Sequence, residues 1–208
     1  MNLKIFNTGV MPVNTYVLID ETSKEAVIID LGGDSHDVLD YIKSENGKIK
    51  AILNTHGHFD HVMGEAFLKE RMPEVPIYLN KEDWYLAQNL NEQIQKYAPG
   101  FNAPSFTPDF DLNEETEFKL GETPFKFFFT PGHTRGGVSI LVENDLFTGD
   151  TLFMGTIGRT DLDGGDYNTL VNSIRTKLLP LDDNIKVYPG HGVSSTMGEE
   201  KISNPYLN

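Results

Sequence analysis

The 208-residue sequence contains no cysteine. Disulfide stapling, thiolate catalysis and cysteine-ligated zinc are therefore excluded, and any metal site must be built from imidazole and carboxylate. Positive charge is scarce: 17 Lys and Arg stand against 31 Asp and Glu, a formal net charge of -14. A surface of that sign repels polyanions over most of its extent, so nucleic acid is not an expected partner. Long apolar runs are missing too, and the opening Met1-Asn2-Leu3-Lys4-Ile5-Phe6-Asn7 is too short and too polar for a secretory signal. The expectation is a cytoplasmic chain with no membrane partner. No biased tract argues for disorder, and 38% hydrophobic residues with 19 Gly and 11 Pro fit one domain over residues 1–208.

Short apolar runs bounded by turn residues predict strands at Leu3 to Asn7, Thr15 to Ile19, Ala26 to Asp30 and Lys50 to Asn54. Asp34 to Glu45 carries Val38, Leu39 and Ile42 at helical spacing, and Val62 to Glu70 reads as a second helix. A strand at Pro76 to Leu79 and a helix over Glu82 to Asn89 follow. Asn91 to Asn113 is weakly patterned and carries Pro99-Gly100, Pro104 and Pro108, which predicts an irregular surface excursion able to act as a lid. Further strands are read at Thr123 to Phe129, Val138 to Val142, Leu146 to Phe147 and Ile185 to Tyr188, with a helix over Leu170 to Leu179. Strands come in runs at both ends of the chain, each followed by a helix. That order implies an α/β fold (α+β in some schemes), two sheets face to face with helices outside, a four-layer αββα sandwich.

Of six histidines, five fall in tight loops that each follow a predicted strand. His56 and His58 are two apart, a spacing that in extended chain sends both imidazoles to one side, and Asp60 and His61 follow across a turn into a helix. Thr130-Pro131-Gly132-His133-Thr134, Thr148-Gly149-Asp150 and Tyr188-Pro189-Gly190-His191-Gly192 each put a glycine just before a candidate donor, which lets the chain turn sharply and approach closely. His36, at the start of a predicted helix, reads as a solvated or capping residue.

Thr55-His56-Gly57-His58-Phe59-Asp60-His61, followed in order by the Pro-Gly-His-Thr, Thr-Gly-Asp and Pro-Gly-His segments, resembles the metallo-β-lactamase superfamily, and most nearly its glyoxalase II branch. The resemblance implies that His56, His58 and His133 hold one divalent ion, that Asp60, His61 and His191 hold a second, and that Asp150 bridges them. Zinc is the first expectation, with iron or manganese also suited to a nitrogen and oxygen set. Asp60 and Asp150 then act catalytically by binding and orienting a metal-bridging hydroxide, which attacks a thioester such as S-lactoylglutathione. Asp30 is either a turn residue or a partner that orients a metal-bound histidine.

The segment Gly158-Arg159-Thr160-Asp161 is similar to that of the small glyoxalase II-like (hydroxyacylglutathione hydrolase-like) enzymes of bacteria. Arg159 stands where the larger enzymes have Lys, and Val193 where they have Tyr. Only 17 residues follow His191, so the C-terminal helical domain that carries their glutathione contacts is expected to be absent. Arg159 is the expected contact to the anionic end of a small-molecule thioester, with Thr160 and Asp161 at the pocket rim; the alternative is an Arg paired structurally with Asp161 or Asp163. Ser195, Thr196 and Glu199 are expected only to cap and close the sheet. The rival activity is a persulfide dioxygenase of the same fold with a single ferrous ion. A β-lactamase is less favoured, since that branch typically lacks the bridging Asp. A homodimer is compatible with the sequence.

Overall fold

The run Val13–Ile19 is buried along its whole length. Successive side chains of a strand point to opposite faces, so Tyr16 and Leu18 project one way and Val17 and Ile19 the other. A strand apolar on both faces must be covered twice, and here a second sheet covers one side and helices the other.

The computed structural model describes residues 1–207. Its first sheet contains, in spatial order, β1 (Asn2–Thr8), β2 (Val13–Ile19), β3 (Glu25–Ile29), β4 (Lys48–Leu53), β5 (Ile77–Leu79) and β6 (Phe110–Asp111). The first three form an antiparallel meander, and β3 to β6 run parallel. Parallel neighbours need crossovers, supplied by α1 (His36–Ser44), α2 (Phe59–Arg71) and the pair α3 (Trp84–Gln88) and α4 (Leu90–Tyr97). From Lys119 onward come β7 (Lys119–Leu120), β8 (Thr123–Phe129), β9 (Val138–Val142), β10 (Asp145–Gly149), a small hairpin of β11 (Leu152–Phe153) with β12 (Thr156–Ile157), then β13 (Lys186–Pro189) and β14 (Ser195–Thr196). All but the hairpin join in a second sheet, ordered β7, β8, β9, β10, β13, β14. β10 and β13 are parallel and are connected through α5 (Tyr167–Ser173), which runs on as a π-helical turn over Ile174–Leu178. α6 (Met197–Ser203) follows β14.

Between the sheets, Tyr16, Leu18, Val27 and Leu53 meet Phe127, Ile140, Phe147 and Tyr188. The outer face of the first sheet, with Val17, Ile28 and Ile52, takes Val38 and Ile42 of α1 and Leu68 of α2. Leu146 and Val187 on the outer face of the second sheet take Leu170 and Met197 of α5 and α6. The αββα sandwich expected from the order of strands and helices is the observed fold.

Two expectations need correction. Helix α2 starts at Phe59 rather than Val62, so Asp60 and His61 lie in its first turn instead of a preceding loop. The stretch Asn91 to Asn113 is not irregular throughout, because Leu90–Tyr97 is helical and buries Leu90 and Ile94 against Phe59, Val62 and Met63. Two turns of helix carry too few apolar positions to stand out against the prolines that follow. At the other end of the chain, Ser195 and Thr196 pair with β13, and Thr196 with Glu199 forms a capping box on α6, as expected of residues that only cap and close. Among the described residues, no helix is long and apolar enough to cross a membrane.

Phe147 is fully buried between the sheets, edge-on to Tyr16 with ring centroids 4.8 Å apart and stacked on Tyr188 at 5.3 Å. Phe147→Ala is expected to cost about 3–5 kcal/mol in urea unfolding, and a loss under about 1 kcal/mol would contradict this inter-sheet packing.

Candidate metal centre

Every residue of the predicted donor set leaves the carboxyl end of a strand. His56 and His58 lie on the loop after β4, which runs straight into α2 and so delivers Asp60 and His61; His133 follows β8, Asp150 follows β10, and His191 follows β13. Both sheets thus empty their loops at one end of the sandwich. Fasteners between the sheets keep them there. Asn14 of β2 donates through Nδ2 to the carbonyls of Pro189 and Gly192, at 3.0 and 2.9 Å, and Tyr16 Oη donates to Pro189 O at 2.5 Å. Gly190 is required by closeness: a Cβ there would lie 2.5 Å from Asp150 Oδ1 and 2.6 Å from a ring carbon of His61.

The seven predicted donors converge. His56 Nε2 lies 3.1 Å from His58 Nδ1, which is 3.0 Å from His133 Nε2. On the other side, His191 Nε2 lies 3.2 Å from Asp60 Oδ2, and His61 Nε2 lies 3.9 Å from the same oxygen. Asp150 stands between the two groups, with Oδ2 3.5 Å from His133 Nε2 and Oδ1 3.4 Å from His61 Nε2 and 3.9 Å from His191 Nε2. One carboxylate therefore offers an oxygen to each group. His36, by contrast, is exposed at the start of α1 and belongs to none of these donor groups.

The outer nitrogens fix the tautomers. His61 Nδ1 lies 2.8 Å from Asp30 Oδ2, His133 Nδ1 2.7 Å from Arg159 O, and His191 Nδ1 2.9 Å from Pro12 O, so each Nδ1 carries the hydrogen it donates. Thr55 Oγ1 donates its single hydrogen to Asp30 Oδ2 at 2.7 Å and so faces His56 Nδ1, 3.1 Å away, as an acceptor. Four Nε2 atoms consequently point into one small space together with the oxygens of Asp60 and Asp150, whose carboxylates favour protonated His61 and His191 until a cation takes the place of those protons. His61 Nε2 and Asp150 Oδ1 are buried there with no hydrogen-bond partner. Buried polar atoms without partners are costly; the set fits divalent cations, the species that would satisfy all of them.

The electrostatics agree. Burial alone would raise the pKa of Asp60 and Asp150, but His61 and His191 outweigh it and hold both carboxyls below their ordinary range. Burial would lower His61, yet Asp150, Asp30 and Asp60 together push it well above the usual imidazole value. Burial dominates at His56, which falls well below its usual value, and at His58, lowered to about 3. The field is therefore cation-seeking at the Asp150 side and keeps His56 and His58 neutral, the form that ligates.

Asp30, left open between a turn and an orienting role, does the second. It sits at φ 55°, which turns its carboxylate beneath the site, where it is 1% exposed and accepts from Thr55 N at 2.8 Å as well as from Thr55 Oγ1 and His61. Arg159 reaches the cleft wall, but its guanidinium is clamped by Asp161, Nε to Oδ1 and Nη2 to Oδ2 both at 2.7 Å. The pair given as the alternative is thus present in the structure. Thr160 and Asp161 are not among the residues that wall the cleft, and the Asp161 side chain that pairs with Arg159 is 68% exposed. Val193 is exposed as well. Asn14 and Tyr16 went unmarked in the sequence, although a polar Asn inside the apolar run Val13–Ile19 was a readable signal.

Comparison with known proteins agrees with this geometry. The profile of the metallo-beta-lactamase superfamily matches residues 8–191. Hydroxyacylglutathione hydrolase GloC of Haemophilus influenzae is 41% identical over 211 residues, covering 100% of this chain and 99% of that protein. Among solved structures, BLEG-1 B3 metallo-beta-lactamase matches at 36% identity with a TM-score of 0.91 over 100% of both chains. TTHA1623 in a di-iron-bound form matches at 32% identity with a TM-score of 0.87, covering 98% of this chain and 100% of that one.

Removing the carboxylate that orients His61 and Thr55 is expected to weaken metal binding about 10- to 100-fold in Asp30→Ala, measured by competition with a chelator. An unchanged affinity would return Asp30 to the status of a turn residue.

Proposed function

The chain belongs to the metallo-beta-lactamase superfamily, and on that premise we propose that it is a binuclear metal-dependent hydrolase of thioesters, acting on hydroxyacyl thioesters of the S-lactoylglutathione kind. The observation that carries the binuclear part is the division of Asp150, one oxygen toward each donor group. The thioester part is supported by likeness over the full chain to a hydroxyacylglutathione hydrolase. His56, His58 and His133 would hold one ion and Asp60, His61 and His191 the other, with Asp150 shared; zinc, iron and manganese all suit these donors. When bound, such a pair activates water as a nucleophile near neutral pH and polarises the substrate carbonyl.

The chain's own residues do the remaining work. Asp60 and Asp150 stay anionic and fix where the nucleophile sits. The hydrogen bonds on the outer nitrogens hold four imidazoles with Nε2 aimed at the ion sites, so each ring ligates without turning once its Nε2 is free of a proton. The cleft above them, about 250 Å³, is walled by Met11, Phe59, Tyr97 and Leu162, which exclude water from the reacting carbonyl and take up the apolar part of an acyl chain. A thiolate, with a parent pKa of about 8.5, departs without a strong general acid, which matches a wall whose polar side chains outside the donor set are Tyr97 and Arg159.

Metal-loaded protein is expected to hydrolyse S-lactoylglutathione, with Asp150→Ala lowering kcat/KM at least about 100-fold. Nitrocefin serves as the β-lactam comparison, and oxygen uptake on glutathione persulfide tests the mononuclear dioxygenase alternative. Absence of thioester hydrolysis at zinc, iron and manganese loading would sink the proposal.

The Arg159–Asp161 pair yields a separate expectation. If Arg159 meets the anionic end of the substrate, Asp161→Ala frees the guanidinium and lowers KM while Arg159→Ala raises it. Equal effects of the two variants would mark the pair as structural only.

A further inference from the structure

We propose that Asp83 is the positioning residue of the His56–His58–His133 half of the centre, serving that half as Asp30 serves the half around His61. The inference rests on the binuclear reading. Asp83 ends the 3-10 turn that leads into α3 and is 0% exposed. Its carboxylate accepts three hydrogen bonds: Oδ2 from Gly57 N at 3.0 Å and from Thr134 Oγ1 at 2.7 Å, and Oδ1 from Gly136 N at 2.7 Å. Gly57 lies between His56 and His58, and Thr134 and Gly136 lie one and three residues after His133. One side chain thus ties together the two loops that bear all three histidines, loops 75 residues apart in the chain at the contact between His58 and His133.

The approach is close enough to dictate composition. A Cβ on Gly136 would lie 2.7 Å from Asp83 Cγ, and one on Gly57 would lie 2.9 Å from the Asp83 carbonyl oxygen. Gln93 of α4 completes the clamp by donating to Gly57 O at 3.2 Å and accepting from Phe59 N at 3.3 Å. The two peptide groups that flank Gly57 are therefore gripped, the first at its N–H by Asp83 and the second at its carbonyl by Gln93.

A buried carboxylate is an expensive way to hold a fold together, since an apolar side chain of similar volume serves packing better. All three of these bonds go to the donor loops and none to the helices around Asp83, so what they secure is the mutual position of His56, His58 and His133. The segment containing Asp83 also lies outside every motif of the site, and only the folded chain brings it there.

Asp83→Asn keeps the shape but has one acceptor oxygen for three donors, so at least one N–H must face an amide. The probe is zinc, titrated in competition with a chelator. Wild type is expected to bind two ions; in Asp83→Asn one is weakened about 10- to 100-fold while the other keeps its affinity. In a His191→Ala background, where the three-histidine half is the tight site, adding Asp83→Asn is expected to weaken the remaining ion by the same factor. Two ions bound with unchanged affinities, or both weakened equally, would overturn the inference. Fewer than two ions on wild type would sink the binuclear reading and this inference with it. Should Asp83→Asn fail to fold, Thr134→Val, which deletes a single contact to Asp83, decides the matter: a several-fold weakening of one ion only supports the role, and no change refutes it.

Discussion

The structure turns on one buried cluster of charge. Four imidazole Nε2 atoms and the oxygens of two anionic carboxylates are directed into one buried space, where His61 Nε2 and Asp150 Oδ1 make no hydrogen bond and the carboxylates favour positive charge on His61 and His191. Contacts from distant parts of the chain enforce this arrangement: the tautomer-fixing contacts of Thr55, Asp30, Arg159 O and Pro12 O, and the cross-sheet bonds of Asn14 and Tyr16. Divalent cations held by these donors would take the place of the ring protons and couple the folded state of the loops to occupancy.

The supporting contacts follow a simple division. Asp30, at the end of β3, braces Thr55 and His61 from beneath the first sheet. Asp83 and Gln93, from the helical segment between β5 and β6, brace the opposite flank. Asp30 thus reaches His61 directly and His56 through Thr55, Asp83 and Gln93 hold the loops of the three-histidine half, and Asp150, from the second sheet, faces both halves. Two sheets that meet along an apolar interface around Phe147 and Tyr188 are what keep these sources in register.

Much of this was legible in the residues. The αββα order followed from strand runs and helix periodicity, because strands such as β8 and β9 are short, strongly apolar and cleanly bounded by turns. All seven donors were marked by local motif, since a loop that feeds a metal concentrates His, Asp and Gly within a few residues. What escaped was non-local. Asp83 and Gln93 sit in a stretch without motif, and their role exists only because α3 and α4 fold back over the His56–His58 loop. The pairing of Arg159 with Asp161 is two residues long and was foreseen as an alternative, but its choice depends on side-chain direction, which sequence spacing does not determine. The start of α2 was misplaced because its first turn is made of donors rather than apolar residues.

The central claim is that two ions sit side by side, sharing Asp150. X-ray absorption spectroscopy of the metal-loaded protein tests it most directly. The account predicts a metal–metal scattering path at about 3.5–4 Å beside nitrogen and oxygen ligation at about 2.0–2.2 Å. A spectrum fitted by one isolated ion, with no metal neighbour at full loading, would contradict it.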